Sequence, residues 1–295
     1  MKDGAVVEIE VKLLLNPSSG LTSLSAIADL VSLDVIERKE LGNRYFDTPD
    51  LALRRQDMGL RIRRSGAQRE QTLKTQGQVT GGLHARPEYN AKASGEVPDL
   101  ALFPDHLWSL SQRQGLQEGL RVQFETDFVR ESACLDWDGA RIELALDRGE
   151  VMAGEGREAI AELELELVTG EPTSLLSLAE VLMGRFSLRL GLDSKAARGY
   201  RLAGLSPMPT PLQDWPDSSA GRLQAWQRNE ERVLAGEVAA LAPLQRVLDE
   251  IAGLSPLPGD STASVLTRQG LEAMMAQPRY GLGQLALLRQ LLSES

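Results

Sequence analysis

The stretch Val6-Val7-Glu8-Ile9-Glu10-Val11-Lys12-Leu13-Leu14-Leu15 decides how this chain reads. Glu8, Glu10 and Lys12 alternate with apolar residues at a strict spacing of two, which in a β-strand puts all three charges on one face. The other face, Val7, Ile9, Val11 and Leu13, is apolar and needs cover. The charged face then looks into something polar that is not simply bulk water. Carboxylates and an amine about 6 to 7 Å apart along a strand suit a hard cation and a phosphate. Alone, the same pattern also fits an amphipathic antiparallel strand with a solvated outer face.

Working outward, alternating or apolar runs bounded by turn residues predict strands over 6–15, 43–47, 58–64, 69–76, 121–131, 140–148 and 160–168. Asp138-Gly139 signals a hairpin. Helical spacing marks Leu21 to Ser32 and Ser174 to Leu190, the second after Pro172 and before Gly191. Leu100 to Gly119 reads as a helical or irregular excursion. The pattern is α+β, an antiparallel sheet of many strands with helices outside. Ser206-Pro207-Met208-Pro209-Thr210-Pro211 cannot continue a helix or a central strand, so 1–205 reads as one domain and 206–213 as a Pro-rich linker. Residues 214–295 form a helical C-terminal region. Helical periodicity covers Leu223 to Ile251, Ser264 to Ala276 and Arg279 to Leu292, with a break over Leu254 to Gly259.

Composition narrows the chemistry. The chain has 295 residues, 42% of them hydrophobic, enough for a sizeable core. No apolar run reaches the ~18 residues that span a bilayer, and the N-terminal residues lack a basic stretch followed by an apolar one, which places the protein in the cytoplasm and off the membrane. One cysteine, Cys134, and two histidines exclude a disulfide framework, a cysteine zinc site and general histidine chemistry. A formal charge of -10 argues against nucleic acid as a partner. Catalysis must then use carboxylates, Lys, Arg and a metal held by oxygen ligands.

The two-residue parity repeats on later strands. Arg61 and Arg63 share a face, as do Thr72 with Lys74, Arg86 with Glu88, Thr126 with Arg130, Glu143 with Asp147, and Glu162 with Glu164 and Glu166. Some strands carry mainly acids inward and others mainly bases. A solvated face would mix them. If the sheet closes into a barrel, charges buried inside must be paired or must bind ions. The expected content is a polyanion held by Arg and Lys, bridged by a divalent cation to carboxylates.

Six segments in this order, Glu8 to Lys12, Tyr45-Phe46-Asp47-Thr48, Leu60 to Arg63, Thr72-Leu73-Lys74, Glu162 to Glu166 and Ser194-Lys195-Ala196-Ala197-Arg198-Gly199-Tyr200, resemble the CYTH family, the triphosphate tunnel metalloenzymes, across about 1–203. Val79 to Tyr89 and Ser194 to Tyr200 look most like the bacterial inorganic triphosphatases. The resemblance implies an eight-stranded antiparallel β-barrel with external helices that binds linear triphosphate and hydrolyses it with Mg²⁺ or Mn²⁺. By position, Glu8, Glu10, Glu164 and Glu166 look like metal-side carboxylates. Asp147 and Glu162 would serve a second metal or orient water. Lys12, Arg61, Arg63, Lys74, Arg130 and Lys195 look like phosphate contacts, with Arg86 and Arg198 beside them. Glu8, Glu10 and Lys12 would carry the catalysis. The base stays open, and Lys12 qualifies only if basic neighbours lower its pKa.

Other residues have plainer readings. His84 reads as a loop residue near the tunnel mouth, Tyr45 as core, and Gly77 to Gly82 as a flexible connection, since it lacks the G-K-[ST] ending of a P-loop. The tail resembles at most the start of the helical CHAD domain of related proteins. From 210 onward it has no histidine, seven Arg and no Lys against ten Asp plus Glu, so a packing or homodimerisation appendage is expected. Rival readings are a thiamine triphosphatase or adenylate cyclase on the same fold, or a noncatalytic polyphosphate or nucleotide sensor.

Overall fold

The computed structural model describes residues 6–251 and 265–294. The strands in chain order are β1 (Val6–Leu15), β2 (Glu37–Asp47), β3 (Gly59–Ser65), β4 (Gln68–Lys74), β5 (Gln78–Thr80), β6 (Leu83–Lys92), β7 (Arg121–Trp137), β8 (Ala140–Ala153), β9 (Gly156–Thr169) and β10 (Leu188–Leu190). The helices are α1 (Leu110–Gly119), α2 (Thr173–Arg185), α3 (Lys195–Leu202), α4 (Ser219–Leu234), α5 (Leu241–Asp249), α6 (Arg268–Met275) and α7 (Pro278–Ser293). The order β1-β9-β8-β7-β2-β3-β4-β6 returns to β1 through a β1–β6 ladder, so eight antiparallel strands close a barrel. Two short strands lie outside the ring: β10 extends β1, and β5 folds back on β6.

Parity sorts the wall into two chemistries. On β8 and β9, Ile142, Leu144, Leu146, Leu163 and Leu165 point outward into the main hydrophobic core. Leu175, Leu178, Leu182 and Met183 of α2 cover them, followed by Leu223, Trp226, Leu285 and Leu288 of the C-terminal helices. Each such side chain contributes roughly 1.5 to 3 kcal/mol when fully buried. The inward faces are divided. Phe124 and Phe128 on β7, Val151 on β8 and Ile160 on β9 form an apolar plug with Leu41, Tyr45 and Tyr200. Helix α3 lies against those three strands and so fills one end of the interior. Further along the same faces come Arg130, Asp147, Glu162, Glu164 and Glu166.

Asp47 explains the Tyr45-Phe46-Asp47-Thr48 segment. It is fully buried and accepts hydrogen bonds from the Thr48, Leu53 and Arg54 amides and from the Tyr200 hydroxyl, tying the loop after β2 to α3. Asp138 and Gly139, both at positive φ, make the expected tight β7–β8 hairpin.

Several elements depart from the sequence-based expectation. Leu21 to Ser32 holds only a one-turn 3-10 helix, Leu24–Ile27, although Leu21, Leu24, Ile27 and Val31 are all buried. The apolar spacing is satisfied without a helix. The helix expected over Ser174 to Leu190 ends at Arg185, and Leu188–Leu190 pairs with Leu13–Leu15 as strand, because that edge of β1 is vacant beyond β6. Gln78–Thr80 is a strand rather than a loose connection, turning into β6 through Gly81 and Gly82, both at positive φ. Strands β2, β7, β8 and β9 run longer than predicted. The expected break at Leu254 to Gly259 and the start of the helix at Ser264 lie outside the described residues. The helical tail sheathes the barrel: Asn16 Nδ2 donates to the Met275 carbonyl at 2.6 Å, and Arg189 pairs with Glu230 at 3.2 Å.

Candidate active site

The barrel encloses a cavity of about 250 Å³. Its lining brings together Glu8, Glu10, Lys12, Arg61, Arg63, Lys74, Arg86, Arg130, Glu164, Glu166 and Lys195, eleven of the residues expected from the sequence. Strand register does this. Lys12 faces Glu164 and Glu10 faces Glu166 across β1–β9, while Glu8 faces Arg86 across β1–β6. Lys74 faces Glu88 across β4–β6, and Arg130 faces Asp147 across β7–β8. Lys195 comes from the first turn of α3, whose N-cap is the Ser194 hydroxyl bonded to the Ala197 amide.

Three expected residues are not on the cavity lining. Asp147 and Glu162 are fully buried, and Arg198 points its guanidinium to Glu158 at 2.6 Å, to Glu162 at 3.3 Å and to the Ala159 carbonyl. Asp147 and Glu162 lie behind the lining, and Arg198 reaches Glu162 from α3. Asp147, Glu162 and Glu164 bring oxygens within 4.8 Å of one another, a spacing a metal could use. Cationic side chains already neutralise that trio. Lys12 pairs with Glu162 at 2.9 Å and with Glu164; Lys195 pairs with Asp147 at 2.6 Å, with Glu164 at 3.0 Å and with Glu162. Arg130 forks onto Asp147 at 2.6 and 2.7 Å and reaches Glu164 at 2.6 Å. Burial alone would raise the carboxyl pKa of Glu164, but Lys12, Lys195 and Arg130 hold it well below the usual range. Burial would likewise depress the Lys12 ammonium, and Glu162, Glu164 and Glu10 outweigh it, so Lys12 is held charged. The condition for Lys12 as a base, a pKa lowered by basic neighbours, is not met.

A second carboxylate group is under-neutralised. Burial, together with Glu8, Glu143 and Glu10 nearby, pushes Glu166 up to about 7. The neighbouring cation, Lys74, is shared between Glu8 and Glu88, the latter at 3.0 Å. Glu8 is raised by its burial, and Glu88, despite burial, is drawn down to about 2 by Lys74 and Arg61. The opposite imbalance occurs at the arginines. Among the described residues, neither Arg61 nor Arg63 has a carboxylate within ion-pair distance, and the buried Arg61 Nε has no hydrogen-bond partner. Burial and the charges of Arg61 and Arg130 bring Arg63 down to about 10, while Asn43 orients its Nε–H at 3.0 Å. Despite burial, Tyr45, Glu88 and Glu8 nevertheless hold Arg61 above its ordinary value, so the imbalance is sharpest at Glu166 on one wall and Arg63 on another.

The cavity also recruits Tyr45, Gly59, Thr72, His84, Glu88, Glu143, Ser194 and Ala196. Parity places Glu88, Glu143 and Thr72 on the same strand faces as expected residues, without giving them a role. His84 is buried in β6, opposite Glu10, and is not a loop residue. Tyr45 both lines the cavity and stacks on Phe124, with ring centroids 4.5 Å apart.

The CYTH domain model matches residues 7–200. An inorganic triphosphatase of Haemophilus influenzae is 33% identical over 265 residues, spanning 87% of this chain and 71% of that protein. Among solved structures, a Hippeastrum protein described as a candidate adenylyl cyclase with a dominant triphosphatase activity is 21% identical, covers 66% of this chain and 95% of its own, and gives a TM-score of 0.44. A candidate adenylate cyclase of Bacillus halodurans is 22% identical over 71% of this chain and 96% of its own, with a TM-score of 0.40.

Proposed function

The chain belongs to the CYTH domain family, and from that premise we propose that it hydrolyses inorganic triphosphate to pyrophosphate and orthophosphate, with Mg²⁺ or Mn²⁺ as cofactor. The observation that carries this reading is a paired imbalance inside one cavity: among the described residues Glu166 on β9 has no cation within ion-pair distance and is pushed up to about 7, and Arg63 on β3 has no carboxylate within ion-pair distance and is brought down to about 10. A polyanion bridged by a divalent cation answers both deficits at once.

Glu8, Glu10 and Glu166, with Glu143 beside them, would hold the metal: among the described residues Glu166 has no ion pair, Glu8 has one, to Lys74, and Glu10 has one, to Lys12 at 3.9 Å. Bound there, a divalent ion supplies neutralisation of phosphate charge and acidification of a water. The chain's own groups do the rest. Arg61 and Arg63 bind phosphate oxygens as fixed forks, and Arg130, kept rigid by Asp147, stands beside them. Lys12 and Lys195, held charged by the buried acids, offer ammonium groups to charge that develops on the leaving pyrophosphate. Asp147, Glu162 and Arg198 hold those ammonium groups in place from behind. Walls of packed side chains and the α3 plug keep the site poor in water, which strengthens every one of these interactions.

The test is phosphate release from tripolyphosphate, ATP and thiamine triphosphate with Mg²⁺ or Mn²⁺, comparing the native protein with Glu10→Ala. Release from tripolyphosphate alone, lowered about a hundredfold or more in the variant, is the expected result. Equal turnover of ATP or thiamine triphosphate would move the assignment to an organic triphosphate, and metal-dependent binding without turnover would make the protein a sensor.

A further inference from the structure

Lys12 sits where β1 changes partner. Before it, Val6 to Val11 pair with β6; after it, Leu13 to Leu15 pair with β10. At the junction the Lys12 N–H donates to the Gly82 carbonyl at 3.1 Å, and the Lys12 carbonyl accepts from the Gly191 N–H at 2.9 Å. Those two bonds fix the peptide from which the Lys12 side chain enters the cavity. Gly82 lies in the turn between β5 and β6 and Gly191 follows the three-residue β10, places where a ladder gives least support.

The support comes from the C-terminal helices. Gln227 of α4, buried, donates from Nε2 to the Gly81 carbonyl at 2.9 Å. Gln284 of α7, also buried, accepts the Leu190 N–H at 2.9 Å. Each glutamine therefore holds the residue immediately before a glycine that bonds Lys12. Packing locks the same two points: a side chain on Gly81 would run into Leu223 of α4 and press on Leu288 of α7, and one on Gly281 would overlap the Leu188 carbonyl. Gln284 also donates to the buried Glu230 at 3.1 Å, so its amide ties the strand end to a polar network, while Gln227 ties the turn directly to α4; such a bond adds little net stability and fixes position.

We propose that Gln227 and Gln284 are positioning residues for Lys12, so that the C-terminal helical layer is part of the catalytic apparatus of the barrel. The inference rests on the triphosphatase reading above for its kinetic readout, and on the hydrogen-bond geometry for its structural one.

The test uses the full chain carrying Gln227→Met or Gln284→Met, which keep the volume and remove the amide. The expected result is a kcat for tripolyphosphate lowered about tenfold with KM within about twofold, the size of effect that a small misplacement of a reacting group produces. Amide exchange at Lys12 and Gly191 should rise about tenfold while that of Leu144 on β8 stays unchanged. A lower melting temperature with kcat and KM unaltered, or unchanged exchange at Lys12 and Gly191, would overturn the proposal. If either variant fails to fold, Gln227→Asn, which keeps an amide but shortens its reach, carries the same test. If the native protein turns over no tripolyphosphate, the assigned reaction fails by itself. The positioning role is then read from tripolyphosphate affinity: about tenfold weaker in the variants supports it, equal affinity refutes it.

Discussion

Glu166 and Arg63 mark the two unmet charges of the cavity, and each makes a prediction. A carboxyl raised to about 7 in the folded chain contributes stability below the unfolded carboxyl range near pH 4.5, and that contribution is lost as pH rises through 7. In metal-free protein, Glu166→Gln should therefore melt higher than the native chain at pH 8 by about 2 to 4 °C, the change that ~1 kcal/mol makes in a large domain. The gap should narrow at pH 5 and shrink again when Mn²⁺ is added at pH 8; calorimetry in chelator, then in metal, checks all three. Arg63→Gln should raise KM for tripolyphosphate about 10- to 100-fold, the loss of one charge-assisted contact, in steady-state kinetics at saturating metal. At this scale the sequence was informative about face and uninformative about depth. Parity put Glu162, Glu164 and Glu166 on one side of β9, but three successive inward positions lie at three depths: in the salt-bridged layer, on its border and beside the carboxylate group. The resemblance implies Arg198 as a phosphate contact; in the packed structure its guanidinium lies on Glu158 and Glu162, which no local feature of the sequence announces.

Among the elements, α3 does the most with the fewest residues. It supplies Lys195 to the cavity and Tyr200 to the plug, and it approaches β7 so closely that a side chain on Gly199 would overlap the Phe124 ring. Gly199→Ala should push the helix off the wall, costing about 1 to 3 kcal/mol and lowering triphosphate turnover because Lys195 moves with it. Denaturant titration and kinetics on the same preparation measure both. The strands were legible because alternation survives any tertiary context that keeps one face wet or charged and the other dry. The helices were less so: Leu21, Leu24, Ile27 and Val31 carry a helical interval, yet a single 3-10 turn followed by bends buries all four. Burial demands an interval, not a hydrogen-bond pattern. Likewise Leu188 to Leu190 was drawn into the preceding helix because nothing local announces that β1 has a vacant edge there.

For the molecule as a whole, the sequence after the linker reads as a packing or homodimerisation appendage, and the apolar faces of α4 and α7 pack on each other, on α2 and on β10. A chain ending at Leu205 would expose Leu188, Leu190 and Met183 as one apolar patch. It should aggregate, or melt at least about 10 °C below the full chain; size-exclusion chromatography and circular dichroism decide. Linker composition could be read from the sequence, whereas the partner of an amphipathic helix could not, since an apolar stripe does not say what covers it. Closure of the ring has a consequence for biosynthesis. Lys12 and its partner Glu162 are 150 residues apart, so β1 leaves the ribosome before its partners: one edge waits for β6 and is completed only by β10, and the other waits for β9. During that interval it is a bare strand, the kind that recruits neighbouring nascent chains. Glu8, Glu10 and Lys12 keep one side of it charged throughout the wait, so residues that end in the barrel cavity also guard the newborn chain.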